Sequence, residues 1–521
     1  MASCLLVVNA TELAIEEDLK QFLLVLSISL SIAVTARIFT WVRQVPYTLL
    51  LVLAGLGLAS LNVRLVDLSP GLILFIFLPP LLFEAAWNMK WAHLMENLVP
   101  IGLYALGGVL FSIAGVAMGL TQIAGVPIST ALLVGVCLSA TDSASVIGLF
   151  REVGASKRLV TLIEGESLFN DGASVVGFGI VLSFALGSAN LTLSETVAQF
   201  LAVTSIGIGI GALIGFCLAN LTQQLESPWV EQSLTLVAAY GTYLVVEELG
   251  GSGVIGVVTA GLLMGNLGWD RTSSSRQFIQ ESWQFIAFFI NSIVFLLIGD
   301  QIYFRQVIPN LPTTAVAIAG VILSRAVAIY GLGSISNWLG QQSPISWREQ
   351  TVLWWGGLRG SVSIALALSI PTTVLGYEEI MANVFETVLF TLLLQGLTAR
   401  PLLRLLNLVE DRSLQEKYLE CIARRDAFSQ VLKHLTQEAH PDIATSHLQQ
   451  QVAAIEAQLN RFQNDIDELK DLHPDLKAFS TQTHQEKLLA LEMSVYDQYV
   501  RAGLLEQKPL PVLQPNVLDL S

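Results

Sequence analysis

The chain has 521 residues, of which 53% are hydrophobic and 13% charged, with a formal net charge of −15 at pH 7. Soluble domains carry about 25% charged residues, so a soluble enzyme is excluded for most of this length. The negative balance also argues against nucleic acid as a partner.

Ahead of the first apolar run stand Glu12, Glu16, Glu17 and Asp18 with no basic stretch, so a cleaved signal peptide is not expected. From there, runs long enough for a bilayer core, about 17–25 residues, follow one another. They fall at 20–39, 46–62, 70–87, 98–120, 128–150, 160–186, 196–220, 230–248, 252–268, 280–299, 312–334, 348–371 and 380–404. Thirteen spans put the two termini on opposite sides. Lys and Arg gather in alternate loops: Arg37 and Arg43, Lys90, Arg151 with Lys157 and Arg158, Arg271 and Arg276, Arg348, then Arg400 and Arg404. The other loops hold little beyond Lys20, Arg64 and Arg305. The positive-inside bias then predicts a multi-pass protein with its N-terminus outside and C-terminus cytoplasmic; the cell inner (plasma) membrane is its expected location, although loop charge does not select the membrane.

In the third span Pro79-Pro80 precedes Glu84, which with Trp87 and Lys90 fits an interfacial anchor. The fifth span is interrupted by small and polar residues from Cys137 to Ser145, including Thr141 and Asp142. The sixth holds Glu166-Ser167-Leu168-Phe169-Asn170-Asp171. A carboxylate near the middle of a membrane helix costs roughly 2.5–3.5 kcal/mol on insertion scales, so these are functional candidates by default. Helical spacing sets Glu166 beside Asn170 and Ser167 beside Asp171, on one face. That face offers oxygens and no thiol or imidazole, which suits hard cations and protons rather than zinc or copper.

Gly207, Gly211 and Gly215 recur at every fourth position of the seventh span. Tight packing inside the chain is the favoured reading and a dimer face the second. Arg325, in the eleventh span, needs a partner; Glu166 is the best candidate, and a pair would hold Glu166 ionised. Snorkelling to the interface is the alternative. The twelfth span is interrupted from Trp355 to Ser361, around Arg359. Interruptions in both halves fit inverted repeats with helices unwound at the midplane, although a continuous kinked helix in each remains open. With helix ends opposed, Asp142 could neutralise the positive N-termini and Arg359 the negative C-termini.

The composition changes near residue 407, which divides a transmembrane domain, 1–406, from a cytoplasmic helical tail, 407–521. His434, His440, His447, His473 and His484 are scattered and read as solvated. Leu448, Val452, Ile455, Leu459, Phe462, Ile466 and Leu469 form a heptad seam. A second amphipathic run at 486–505 predicts an antiparallel hairpin with 447–472; a coiled coil between chains is the alternative. Cys4, Cys137, Cys217 and Cys421 read as free thiols.

The Thr141-Asp142 pair and the Glu166–Asp171 stretch resemble the signature of the NhaP-type sodium/proton antiporters, of the monovalent cation:proton antiporter-1 family. Phe77-Leu78-Pro79-Pro80-Leu81-Leu82-Phe83-Glu84, Gly253-Val254-Ile255-Gly256 and Gly356-Gly357-Leu358-Arg359-Gly360 agree with it in order and span. The resemblance covers about residues 20–406. It implies an all-α polytopic NhaA-like antiporter fold: about 13 transmembrane helices in inverted repeats, with two broken helices crossing at the midplane. It implies exchange of Na+, and also Li+, for H+ by alternating access, in sodium and pH homeostasis. It further implies a homodimer, an ion-path role for Glu84 and an Arg325–Glu166 pairing. Asn170 stands where electrogenic relatives carry a second aspartate, which implies electroneutral one-for-one exchange.

A carrier needs one site that takes either a cation or protons and opens to one side at a time. Asp171 suits the titrating role, with sodium held by Asp171, Ser167 and Thr141 and with Asp142 nearby. The expected partners are the lipid bilayer, monovalent cations and protons; no cofactor is expected. A cation channel would also want buried carboxylates, but the chain lacks a Thr-Val-Gly-Tyr-Gly-like filter. An intramembrane enzyme would need His-Glu-x-x-His or Gly-x-Ser-x-Gly, and the histidine outside the tail is His93, expected in a loop.

Overall fold

The computed structural model describes residues 20–38 in part, 47–61, 69–143, 146–187, 192–222, 227–267, 273–301, 304–339, 344–408, 412–437, 445–472 and scattered positions from 488 to 499, leaving out 149 and 151–153 within these ranges. A helix lies in each of the thirteen predicted segments. The physical reason is that a bilayer offers no hydrogen bonds, so each crossing must satisfy its own backbone.

In chain order these are α1 (Leu23–Ile32), α2 (Tyr47–Ser60), α3 (Leu72–Asn88), α4 (Leu98–Gln122), α5 (Ile128–Cys137), α6 (Lys157–Ala185), α7 (Leu193–Thr222) and α8 (Pro228–Glu248). Then come α9 (Gly253–Asn266), α10 (Ser273–Asp300), α11 (Phe304–Trp338), α12 (Trp347–Trp355), α13 (Ser361–Leu368) and α14 (Tyr377–Leu405). Among the described residues, six helices are long and apolar enough to cross a membrane by length and composition. His93, expected in a loop, lies instead in a short helix, Trp91–Glu96.

The fifth and twelfth segments are broken. α5 ends at Cys137 and the chain runs without helix from Ala140 to Ser143. α12 ends at Trp355, and Gly357 to Gly360 separate it from α13. The second break lies seven segments after the first, an odd offset, so the matched segments run in opposite directions. The packing obeys the same shift. α3 lies on α9, and its seven-segment counterpart, α10 on α2, is also present. α5 packs on α6 as α12 packs on the C-terminal part of α14, α4 touches α6 as α11 touches α14, and α4 and α11 pair with each other. The fold is thus an inverted repeat with its two breaks at the centre.

Small residues allow these crossings. A Cβ at Gly211 of α7 would fall on the Gly256 carbonyl oxygen of α9, and one at Gly207 would stand 2.9 Å from the Ser252 carbonyl oxygen. The stripe at Gly207, Gly211 and Gly215 therefore packs inside the chain.

Residues Glu410–Ser521 form a second compact unit. Its helices α15 (Arg412–Gln437) and α16 (Thr445–Leu472) pack antiparallel, since Lys470 lies over Tyr418 while Phe462 lies against Phe428. Tyr418 and Ile466 are buried between them. The seam on α16 thus packs against Arg412–Gln437; the expected hairpin with 486–505 falls largely outside the described residues. Much of 486–505, and His440, His473 and His484, lie outside the described residues.

Candidate functional site

The two breaks meet. The Asp142 amide donates to the Leu358 carbonyl at 2.7 Å, tying one unwound strand to the other. The strand from Ala140 to Ser143 is also held by α6, which presents two polar side chains to it, Ser167 and Asn170. Asn170 uses both ends of its amide on Thr141: Oδ1 accepts from the Thr141 amide at 3.2 Å, and Nδ2 donates to the Thr141 hydroxyl at 2.5 Å. Ser167 donates its hydroxyl to the Thr141 carbonyl and accepts from the Ser143 amide at 3.3 Å. These bonds replace the ladder bonds that unwinding forfeits.

Each half-helix that stops at the crossing leaves carbonyls without partners. Two arginines take them. Arg359, 1% exposed, donates from one nitrogen to the Ser139 and Ala140 carbonyls, at 2.9 and 3.1 Å, just past α5. Arg325 donates to the Leu353 and Trp354 carbonyls, at 2.8 and 3.1 Å, at the end of α12. The expectation of Asp142 at the helix N-termini and Arg359 at the C-termini is thus incomplete, because Arg325 takes the carbonyls at the second break. Arg325 also grips Glu166 with two parallel bonds of 2.7 and 3.0 Å. Gly357 is required beside it, because a Cβ there would fall on the guanidinium. Gly360 is required in the same way beside Asp142: its Cβ would fall on that carboxylate, which sits just ahead of the N-terminus of α13.

Asp171 lies on the same stretch of α6 and is 8% exposed. Its Oδ1 is buried and makes no hydrogen bond among the described residues. This carboxylate stands at a cavity of about 300 Å³, with Asp142, Thr141 and Ser167 on the same wall. Glu84 is in that wall too, accepting from Asn88 Nδ2 at 2.6 Å. Thr141, Asp142, Ser167 and Asp171 therefore meet at one cavity, with Asn170 bonded to Thr141. Glu166 is outside its wall, turned toward Arg325.

Other cavity residues are not among those singled out from the sequence. Glu164, Gln284 and Asn291 line it. Glu164 was recoverable in principle, since it lies seven residues before Asp171 and so on the same helical face. Gln284 and Asn291 belong to α10 and are brought in by the fold. Among the described residues no group of three or more His, Cys, Asp and Glu side chains is placed to hold a metal ion.

Comparison with known proteins gives concordant results. The sodium/hydrogen exchanger transmembrane family matches residues 25–405. The Na+/H+ antiporter ApNhaP of Aphanothece halophytica is 50% identical over 507 residues, covering 96% of this chain and 97% of that protein. The low-affinity Na+/H+ antiporter NhaS1 of Synechocystis is 46% identical, covering 96% of each. Among solved structures, the sodium proton antiporter MjNhaP1 of Methanocaldococcus jannaschii matches with a TM-score of 0.61 and 20% identity, covering 75% of this chain and 99% of that one. That likeness bears on the fold.

Proposed function

The chain belongs to the sodium/hydrogen exchanger family, and from that premise we propose that Asp171 is the group that carries either the ion or the proton. The protein is a multi-pass membrane transporter that exchanges sodium for protons. The observation that carries the assignment is the buried, unbonded Oδ1 of Asp171 at the head of a cavity. A carboxylate so placed gains by taking a proton or a hard cation, since either supplies the missing partner.

Sodium is held by Asp171, Ser167 and the Thr141 oxygens, with Glu84 and Asp142 within the same cavity and water completing the shell. Asn170 fixes Thr141 in place. Protonation of Asp171 and sodium binding use the same oxygens, so the two ions exclude each other. That exclusion, with access from one side at a time, is antiport. Glu166 is paired with Arg325, and Asp142 and Arg359 face opposed helix ends; none of these changes its load. The exchange is then one Na+ for one H+ and electroneutral, with lithium as a second cargo.

Residues 1–406 carry transport in the inner membrane, with the N-terminus outside, and 407–521 form a cytoplasmic tail. The protein works as a homodimer without a resident cofactor. The test is sodium-dependent proton flux in everted vesicles from Asp171→Asn. The variant should insert normally and lose exchange. Near-normal flux from correctly inserted protein would sink the assignment.

A further inference from the structure

One face of α14 carries Asn383, Thr387 and Thr391 at four-residue spacing, stacked on one side of the helix. They are 1%, 0% and 0% exposed. Apolar residues are the rule at such depth, and a buried polar group without a partner costs about 1–3 kcal/mol. Thr391 is used: its oxygen accepts from the Arg359 amide at 3.1 Å and donates to the Val388 carbonyl at 2.9 Å. Asn383 donates from Nδ2 to the Glu379 carbonyl at 2.8 Å. Asn383 Oδ1 and Thr387 Oγ1, in contrast, have no hydrogen-bond partner among the described residues. Two buried polar atoms on one stripe thus find no partner among the described residues.

The location is informative. The stripe starts near the N-termini of α5 and α14, which are joined by a 3.0 Å bond from the Thr130 hydroxyl to the Leu375 carbonyl. It reaches the crossing at Thr391, beside Arg359, and Gln395, four residues further and 2% exposed, continues it past that point. The cavity lies on the other side of that crossing. Its lining takes Ser143, Ile147 and Gly148 from beyond the first break, and Glu164 to Asp171 from the N-terminal half of α6, but no residue of α5 or α14. Under the seven-segment shift, α14 is the inverted counterpart of α6. The N-terminal half of α6 lines the cavity, so inversion assigns the N-terminal half of α14 to the equivalent cavity on the opposite side.

We infer that Asn383, Thr387 and Thr391 line the access path by which water and the hydrated cation reach Asp171 from the side opposite the observed cavity. Asn383 Oδ1 and Thr387 Oγ1 are the atoms that this water bonds. The inference rests on the alternating-access reading and assigns residues that reading leaves out.

The experiment is sided chemical labelling. Cys4, Cys137, Cys217 and Cys421 are replaced by Ser or Ala, and Asn383→Cys, Thr387→Cys and, as a cavity marker, Ile147→Cys are introduced singly. Sodium/proton exchange is measured first without reagent, so failure of the antiport reading shows separately from the labelling result. A membrane-impermeant cationic thiosulfonate is then applied to one face or the other of vesicles of known orientation. The expected result is loss of transport in Ile147→Cys from one face and in Asn383→Cys and Thr387→Cys from the opposite face. Transport-active Asn383→Cys and Thr387→Cys that react from neither face, or from the same face as Ile147→Cys, would overturn the proposal. Should both cysteine variants fail to insert, Thr387→Ser and Thr387→Val decide. Turnover kept in Thr387→Ser and slowed about tenfold in Thr387→Val, roughly one lost hydrogen bond, supports it; equal turnover in the two overturns it.

Discussion

Arg325 does two jobs with four N–H bonds, and removing it exposes both. Two bonds hold Glu166, at 2.7 and 3.0 Å, and two hold the Leu353 and Trp354 carbonyls, at 2.8 and 3.1 Å. The arginine is 8% exposed and Glu166 2%, so water cannot replace what is lost. Breaking a buried pair costs about 3–5 kcal/mol because a charge is left uncompensated. Each carbonyl bared in Arg325→Met adds about 1–3 kcal/mol where water does not reach it. Arg325→Met should therefore cost at least about 5 kcal/mol by that sum. Glu166→Gln should cost less, about 3 kcal/mol, because the amide oxygen still accepts one bond and the carbonyls still share the cation. The double variant carries no stranded charge, so it should be milder than the sum of the singles by about 2–3 kcal/mol. Unfolding in mixed detergent and SDS, followed by tryptophan fluorescence, gives the four free energies of the cycle. Additivity to within about 0.5 kcal/mol would refute the pairing as an energetic unit. An Arg325→Met no worse than Glu166→Gln would refute its role at the end of α12.

Gly360→Ala places a Cβ on the Asp142 carboxylate and should abolish exchange, whereas Gly57→Ala, which meets nothing within 4 Å, should be silent; flux in vesicles matched for protein compares them. In proteoliposomes at fixed pH gradient, an imposed potassium–valinomycin potential should leave sodium uptake unchanged, and a rate that follows the potential would show a second carried charge. A fragment of residues 412–472 should be helical and monomeric by circular dichroism and ultracentrifugation. Ile466→Asp, which sets a charge in the buried seam against Tyr418, should unfold it; a stable dimer would restore the interchain coiled coil.

The sequence by itself determined what the solvent dictates. Apolar runs of bilayer length, read with basic loops, located all thirteen segments that the structure fills with helix, because a membrane permits little else. It also singled out Thr141, Asp142, Glu166 and Asp171 as polar residues costly in apolar segments, and three of them, Thr141, Asp142 and Asp171, line one cavity. The Arg325–Glu166 pair was legible on the same ground: two opposite charges in lipid must find each other. The tertiary structure decided everything that depends on which helix meets which. The second use of Arg325, on the carbonyls of α12, could not be read because backbone carbonyls leave no mark in a sequence. The same holds for Gln284, Asn291, Asn383 and Thr387, ordinary polar residues until the fold turns them toward the crossing. In the tail, hydrophobic periodicity found the seam of α16, and the fold sets it against α15, a partner the seam itself does not name. An amphipathic face records that a helix must be covered, and only the fold decides by what.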